Sequence, residues 1–361
     1  MPVPARPGGV GRVSFIVLAM LLLAAPATAG GYTTTPRLGS HAMVGPNMPP
    51  EHVDALFGAS GRAHLSIVRA DVHASAVFPL SPDEPRWESV DTLRGAARTH
   101  RLQVLGVLSG VPLWLARCPP VTADWWKCPP ADYAAWGRTV ERIVERAPEI
   151  GYWEIVNEAN LSQQYFYGDA LEYAKFLRAT SAAIRRANPK AKVVFTGVVG
   201  FGPWLDKVLS QPGVAGSFDV ANAHFRGGIG KLDDMVRRAR ADYRTHGFNG
   251  PLWVTEMGYP SDIAYQWDPG FRGTEWKSGF HAQADYMRGA VRALLRAGAA
   301  RVFVTLRNTE GHWGLFTSEG MINWPLPGFK ASYAAVMRIA GRMARRYERR
   351  LKRTARLRPG T

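Results

Sequence analysis

The sequence predicts an α/β fold of the (β/α)8 kind, a single-domain TIM barrel, on three observations. Eight short apolar runs recur along the chain, amphipathic helical patterns lie between them, and both repeat to near the C-terminus. Strands buried on both faces, each followed by an amphipathic helix, require a parallel sheet covered by helices. Eight such units in about 310 residues fit a closed barrel of typically ~250 residues with room for loop insertions. An open doubly wound sheet is the competing architecture. Its nucleotide-binding version needs a Gly-rich phosphate loop after the first strand, and none is present.

The 361 residues are 46% hydrophobic and 20% charged, enough to bury a sizeable core and too apolar for extended disorder. Residues 1–29 read as a signal peptide: Arg6 and Arg12, then the apolar run "FIVLAMLLLAA" from residue 15, then Ala27-Thr28-Ala29. Cleavage after Ala29 predicts a secreted protein, extracellular or periplasmic, with an uncleaved N-terminal anchor as the alternative. No second run could span a bilayer. The body is then 30–340, followed by a basic tail, 341–361.

In chain order the strand candidates are "HAMVG" from 41, "HLSIVRAD" from 64, "LQVLGVL" from 102, "YWEIVNE" from 152, "KVVFTGV" from 192, "FDVANAHF" from 218, "LWVTEMG" from 252 and "RVFVTLRN" from 301. The helical stripes include Tyr133, Trp136, Val140, Ile143 and Val144; Tyr173, Phe176, Leu177, Thr180 and Ile184; and Ala284, Met287, Val291, Leu294 and Leu295. Cys118 and Cys128, in the proline-rich "CPPVTADWWKCPP", are expected to form a disulfide in an exported chain, two free thiols being the alternative. Nothing nearby completes a metal site, and no metal or other cofactor is expected.

The formal net charge of +16 is unevenly placed: 341–361 holds nine Arg or Lys against Glu348, a net of +8. The run is not interleaved with a series of base-stacking aromatics, Tyr347 being its one aromatic residue, so specific nucleic-acid binding is not expected. The expected partner of the tail is an anionic surface polymer.

In a barrel, chemistry assembles at the carboxyl ends of the strands. The residues placed there are Arg69 after the second strand, Asn157 and Glu158 after the fourth, His224 after the sixth, Glu256 after the seventh, and Arg307 and Asn308 after the eighth. The fourth and seventh strands face one another across the mouth, so Glu158 and Glu256 can share one pocket. Glycoside hydrolysis needs such a pair, one carboxyl to protonate the leaving oxygen and one to attack the sugar or activate water. Sharing a pocket also pushes the two pKa values apart. Singly, an Asn-Glu pair caps helices or turns loops, Arg69 suits a structural ion pair, and His224 a satisfied core histidine.

The motifs "WEIVNEAN" and "WVTEMGYP" resemble those of the clan A retaining (β/α)8 glycoside hydrolases, closest in appearance to family 39 and family 5 members. The resemblance spans about residue 40 to about 340. It implies Glu158 as acid/base, Asn157 as a ligand of the sugar 2-hydroxyl, Glu256 as nucleophile, Arg69 as the charge that keeps Glu256 ionised, and His224 lining the site. Arg226 stands where many clan members have a Tyr that bonds the nucleophile. Arg307 and Asn308 stand where the clan places a sugar-stacking aromatic, with Trp313 only later. Arg226, Arg307 and Arg272 then suggest a carbohydrate substrate with acidic groups, an acidic polysaccharide, because guanidinium binds carboxylate bidentately. Alternatively, Arg226 and Arg307 pair with the catalytic carboxylates. Trp114, Trp125, Trp126, Trp267, Trp276 and Trp313 lie in or near loops over the mouth, to stack on sugars or pack the loops. Outside hydrolysis, the other reading is a catalytically silent barrel that binds cell-surface glycan or exopolysaccharide. An aldolase would want a strand-end Lys, and none occurs.

Overall fold

The structure, a computed structural model, describes residues 34–119, 122–161, 164–259, 261, 279–307 and 329–356. The signal segment, Asn308, Trp313, Trp267, Trp276 and Arg272 lie outside the described residues. In chain order the elements are β1 (Leu38–Val44), α1 (Pro50–Arg62), β2 (Ile67–His73), α2 (Ala74–Val77), α3 (Glu88–His100), β3 (Gln103–Ser109), α4 (Tyr133–Arg146), β4 (Tyr152–Ile155), α5 (Ala170–Ala187), β5 (Lys192–Val194), β6 (Val198–Val199), α6 (Pro203–Leu209), β7 (Ala221–His224), α7 (Ile229–Thr245), β8 (Leu252–Met257), α8 (Phe280–Ala297), β9 (Arg301–Thr305) and α9 (Ala331–Arg356).

All strand pairs are parallel, in the order β5-β4-β3-β2-β1-β9-β8-β7-β6. The fifth predicted strand is broken into β5 and β6, which is why nine strands stand where the sequence shows eight. The bridge between Val194 and Val220 and the bond from Phe195 N to Val220 O (2.9 Å) join the two ends of the sheet. The result is a (β/α)8 barrel.

The break has a side-chain cause. Thr196 Oγ1 accepts from Ala159 N at 3.0 Å, while the Asn160 amide takes both backbone groups of Val199. Both backbone groups of Val199 are thereby engaged by a side chain. Between Thr196 and Val199 lies Gly197, where an added Cβ would fall 1.9 Å from His224 Nε2, so only glycine leaves room for that imidazole.

The helices meet the predicted stripes. α4 starts at the Asp132 cap, whose side chain accepts from Ala134 N and Ala135 N, and α5 at the Asp169 cap. Each buries its apolar face, Trp136, Val140 and Ile143 in α4 and Tyr173, Phe176 and Leu177 in α5, between the sheet and neighbouring helices. No helix among the described residues is long and apolar enough to cross a membrane.

Inside the barrel the filling changes with height. Arg301, at the start of β9, lies over Trp253 and Tyr152, 4.5 and 5.5 Å from their ring centroids. Above it, Ile67, Leu105, Val194, Val220 and Phe303 form a dry layer. Higher still, the inward residues are polar: Arg69, Glu154, Asn222, Thr255 and His224. Below, Arg301 is covered by the Trp253 and Tyr152 rings and the dry layer, and among the described residues the inward polar side chains gather beneath the mouth.

A rigid connection crosses the upper rim. Between β3 and α4 the Cys118–Cys128 disulfide is formed, with Cα atoms 6.0 Å apart, and Ala116 bridges Pro130. Trp126 O accepts from Val111 N and Lys127 O from Tyr167 N, both at 2.9 Å, which ties this loop to its neighbour after β4. Trp114 donates to Phe78 O at 3.1 Å, which makes it a packing residue of the loop.

Candidate active site

Two local irregularities aim the carboxylates. Along β7 and β8, Ala223 pairs Val254 and the next pair is His224 with Glu256, so Thr255 is the extra residue of a bulge. Two consecutive side chains, Thr255 and Glu256, therefore both point into the barrel, which a regular strand forbids. After β4 the chain turns left-handed at Val156 (φ 63°) and again at Glu158 (φ 41°). A β-branched residue there is strained; such conformations cost on the order of 1–3 kcal/mol each and persist where surrounding contacts hold them. The Val156 N to Leu108 O bond (3.0 Å) and the Ala159 N to Thr196 bond provide that hold.

The contacts form one network. Glu158 Oε1 lies 2.7 Å from His224 Nδ1, and His224 Nε2 lies 3.0 Å from Thr255 Oγ1, itself bonded to the Asn222 amide. The imidazole is thus fixed at both nitrogens, and it orients the Glu158 carboxyl. Glu256 Oε1 accepts from Arg226 Nη2 at 2.9 Å. Glu256 Oε2 faces His41 Nδ1 at 3.1 Å, Arg69 Nη1 at 3.7 Å and His224 Nδ1 at 3.7 Å. The His41 contact is close but poorly aligned as a hydrogen bond among the described residues, and its effect on Glu256 is chiefly through charge.

Burial by itself pushes the Glu256 carboxyl upward, but His41, His224 and Arg226 overcome it and hold the carboxyl well below the usual carboxylate range. Glu256 is built to stay ionised. Arg69 is also buried, which alone would lower its pKa. Glu154 more than reverses this, and the guanidinium is held firmly protonated. Tyr165, in the loop after β4 and 42% exposed, is pushed up to about 12 by partial burial and by the charges of Glu158 and Glu256, so its hydroxyl keeps its proton.

The structure brings Glu158, Glu256, His224, Arg69, Asn157 and Arg226 together. It moves Arg69 from the strand-end position read in the sequence. β2 continues to His73, so Arg69 sits within the strand, one layer below the mouth. Its main partner is Glu154, reached by Nε and Nη2 at 2.8 Å each, and Nη2 also donates to Asn157 Oδ1 at 2.6 Å. Arg226 is engaged with Glu256. Arg307, two residues beyond β9, is half-buried with its pKa lowered by burial, and among the described residues it has no carboxylate partner.

Sequence reading missed His41, Glu154, Thr255 and Tyr165. Glu154 had a legible signal: it and Arg69 are opposite charges inside apolar strands, and such burial requires pairing. His41 and Thr255 had none, since bulges place them.

One oxygen or nitrogen each from Glu158, His224 and Glu256 lie within 4.8 Å of one another, a donor set of a kind that also holds divalent cations. Arg226 and Arg69 already place fixed positive charge against Glu256, which opposes a cation there.

No protein-family model matches the chain, and no curated protein matches it in sequence. Solved structures do match in fold. A family 39 glycoside hydrolase from Bacteroides cellulosilyticus WH2 is similar at TM-score 0.61 and 16% identity, over 85% of this chain and 64% of that one. A monomeric beta-xylosidase from Caulobacter crescentus CB15 is similar at TM-score 0.64 and 17% identity, over 86% and 69%. The endo-1,4-beta-mannanase from Rhizomucor miehei is similar at 0.59 and 13%, over 86% and 95%. This chain thus spans just under two thirds of the Bacteroides enzyme. At these identities the likeness establishes the barrel fold, and it agrees with the resemblance read from the two Glu motifs.

Proposed function

We propose that the protein is an exported retaining glycoside hydrolase that cleaves O-glycosidic bonds of a poly- or oligosaccharide. The observation that carries this is the placement of Glu158 and Glu256 with carboxylate oxygens within 4.8 Å of one another, bridged by His224. Double displacement uses carboxyl groups about 5–5.5 Å apart, whereas an inverting pair stands about 6.5–9.5 Å apart to admit a water. An approach of one oxygen from each carboxyl to within 4.8 Å is compatible with the first.

Glu256, held ionised, attacks the anomeric carbon while Glu158 gives its proton to the departing glycosidic oxygen. The carbon–oxygen bond to the leaving group breaks as the bond to Glu256 forms. Water then gives a proton to Glu158 and its oxygen to the anomeric carbon, and Glu256 leaves as the carboxylate. Oε2 is surrounded by buried groups, so Oε1 is the attacking oxygen. Its partner Arg226 has a side chain 41% exposed, so that contact lies on the solvent side of the carboxylate. Arg307 is the candidate contact for an acidic substituent of the substrate, and the half-buried Trp125 and Trp126 at the rim are candidate sugar contacts.

The Arg226–Glu256 ion pair also favours a second reading, a silent barrel that binds glycan with its nucleophile permanently occupied. Activated aryl glycosides separate the two. Wild type should yield product with retained configuration, and Glu158→Gln should accumulate a glycosyl adduct on Glu256 detectable by mass. Activity surviving in Glu256→Ala, or an inverted product, would overturn the mechanism. Complete absence of turnover across the panel would favour the silent barrel.

A further inference from the structure

The last helix outruns the barrel. α9 starts near the mouth, where Lys330 Nζ lies 3.3 Å from Ser261 Oγ in the loop after β8, and it runs back toward the opposite face. A Cβ added at Gly341 would lie 3.0 Å from His64, in the turn before β2, so the helix has reached that face there. Ala344 is the last buried residue among those described. From Arg345 to Thr354 every side chain is exposed except the half-buried Glu348. At 1.5 Å per residue these turns project about 15 Å.

The projecting turns carry Arg345, Arg346, Arg349, Arg350, Lys352 and Arg353, against Glu348, which pairs with Lys352 at 2.9 Å. With 3.6 residues per turn the six cations fall within about 160° of arc, and Tyr347 and Leu351 lie on the other side. Arg345 with Arg349, Arg346 with Arg350, and Arg349 with Arg353 are like charges at i,i+4, an arrangement that opposes a bare helix. Counter-charge along the stripe relieves it.

We propose that this end of α9 is a docking rail for a carboxylate-bearing polysaccharide, and that it holds the protein on the polymer from the face opposite the catalytic mouth. Five of the six cations are arginine, whose planar guanidinium takes a carboxylate bidentately. The stripe carries no aromatic side chain on which nucleic-acid bases would stack. Tyr347 and Leu351 are the only large apolar side chains in these turns, too few to seat the helix in a lipid interface. The choice of polymer rests on the carbohydrate reading above, whereas the docking itself needs no turnover.

The test is binding of the full chain to immobilised polygalacturonate, at low and at physiological salt, beside a neutral polysaccharide. One variant replaces Arg345, Arg346, Arg349, Arg350 and Arg353 by Gln. A control of equal net charge replaces the exposed body cations Lys190, Lys231, Arg244, Arg292 and Arg296 by Gln. The helix variant should lose at least about tenfold in affinity while the control stays within about twofold. Any hydrolysis of a small soluble aryl glycoside should be the same in all three. Equal losses in both variants would reduce the effect to net charge and overturn the rail. So would tighter binding of the wild type to phosphatidylserine vesicles or to single-stranded DNA than to the polymer. Helix-dependent binding without any turnover would sink the hydrolase reading and leave the rail standing.

Discussion

Replacing Glu154 by Gln should be among the most damaging single changes in the barrel, although Glu154 touches no substrate in the mechanism above. Its side chain is 0% exposed, that of Arg69 is 1% exposed, and both carboxylate oxygens accept from the guanidinium at 2.8 Å. Glutamine keeps one acceptor but turns an NH2 toward N–H donors, and it leaves a buried cation whose next carboxylate, Glu256, is 3.7 Å away. Breaking a buried pair from one side costs about 3–5 kcal/mol, a large share of the 5–15 kcal/mol that holds a typical domain together. Urea unfolding should show the midpoint falling with the slope unchanged. Arg69→Met combined with Glu154→Leu should recover most of that loss, because both charges are gone, yet should impair catalysis by removing the Asn157 and Glu256 contacts. A loss below about 1 kcal/mol in the single variant would refute this account. It would mean that Arg69 finds Glu256 or water without penalty and that the pair does not organise the layer.

Three further outcomes are expected. Because His41, His224 and Arg226 hold Glu256 well below the ordinary carboxylate range, the acid limb of kcat/KM should lie below that range, and Arg226→Gln should move it upward. The associated stability is complete above the unfolded carboxyl pKa and is lost as pH falls through the depressed folded value; an acid limb near pH 5 would contradict the assignment. Replacing Cys118 and Cys128 by Ser should cost about 2–3 kcal/mol on the chain-entropy estimate, and thiol labelling of the denatured protein should find no free thiol. Arg307→Ala should cut kcat/KM on an acidic substrate by about 1.5–3 kcal/mol in transition-state binding and spare its neutral analogue; equal losses on both would remove the acidic-substituent proposal.

The sequence by itself determined the architecture, because it depends on local patterns. Apolar runs such as "LQVLGVL" and stripes such as Tyr173, Phe176, Leu177 and Ile184 specify strands and helices wherever they fold, and their alternation leaves few topologies. It also pointed to the two carboxylates, since an ionisable residue near the end of an apolar strand is visible without coordinates, and to the disulfide, from two cysteines in a short proline-rich loop. Only the tertiary structure decided which groups surround those carboxylates. His41 and Thr255 reach the site through irregularities of strand register, which leave no local signature, whereas Glu154 pairs with Arg69 across strands far apart in sequence, so the sequence shows both charges but not that they meet. The same holds for the broken fifth strand. Gly197 reads as an ordinary strand residue until the His224 ring takes its space, because steric room belongs to the assembled barrel and not to any single segment.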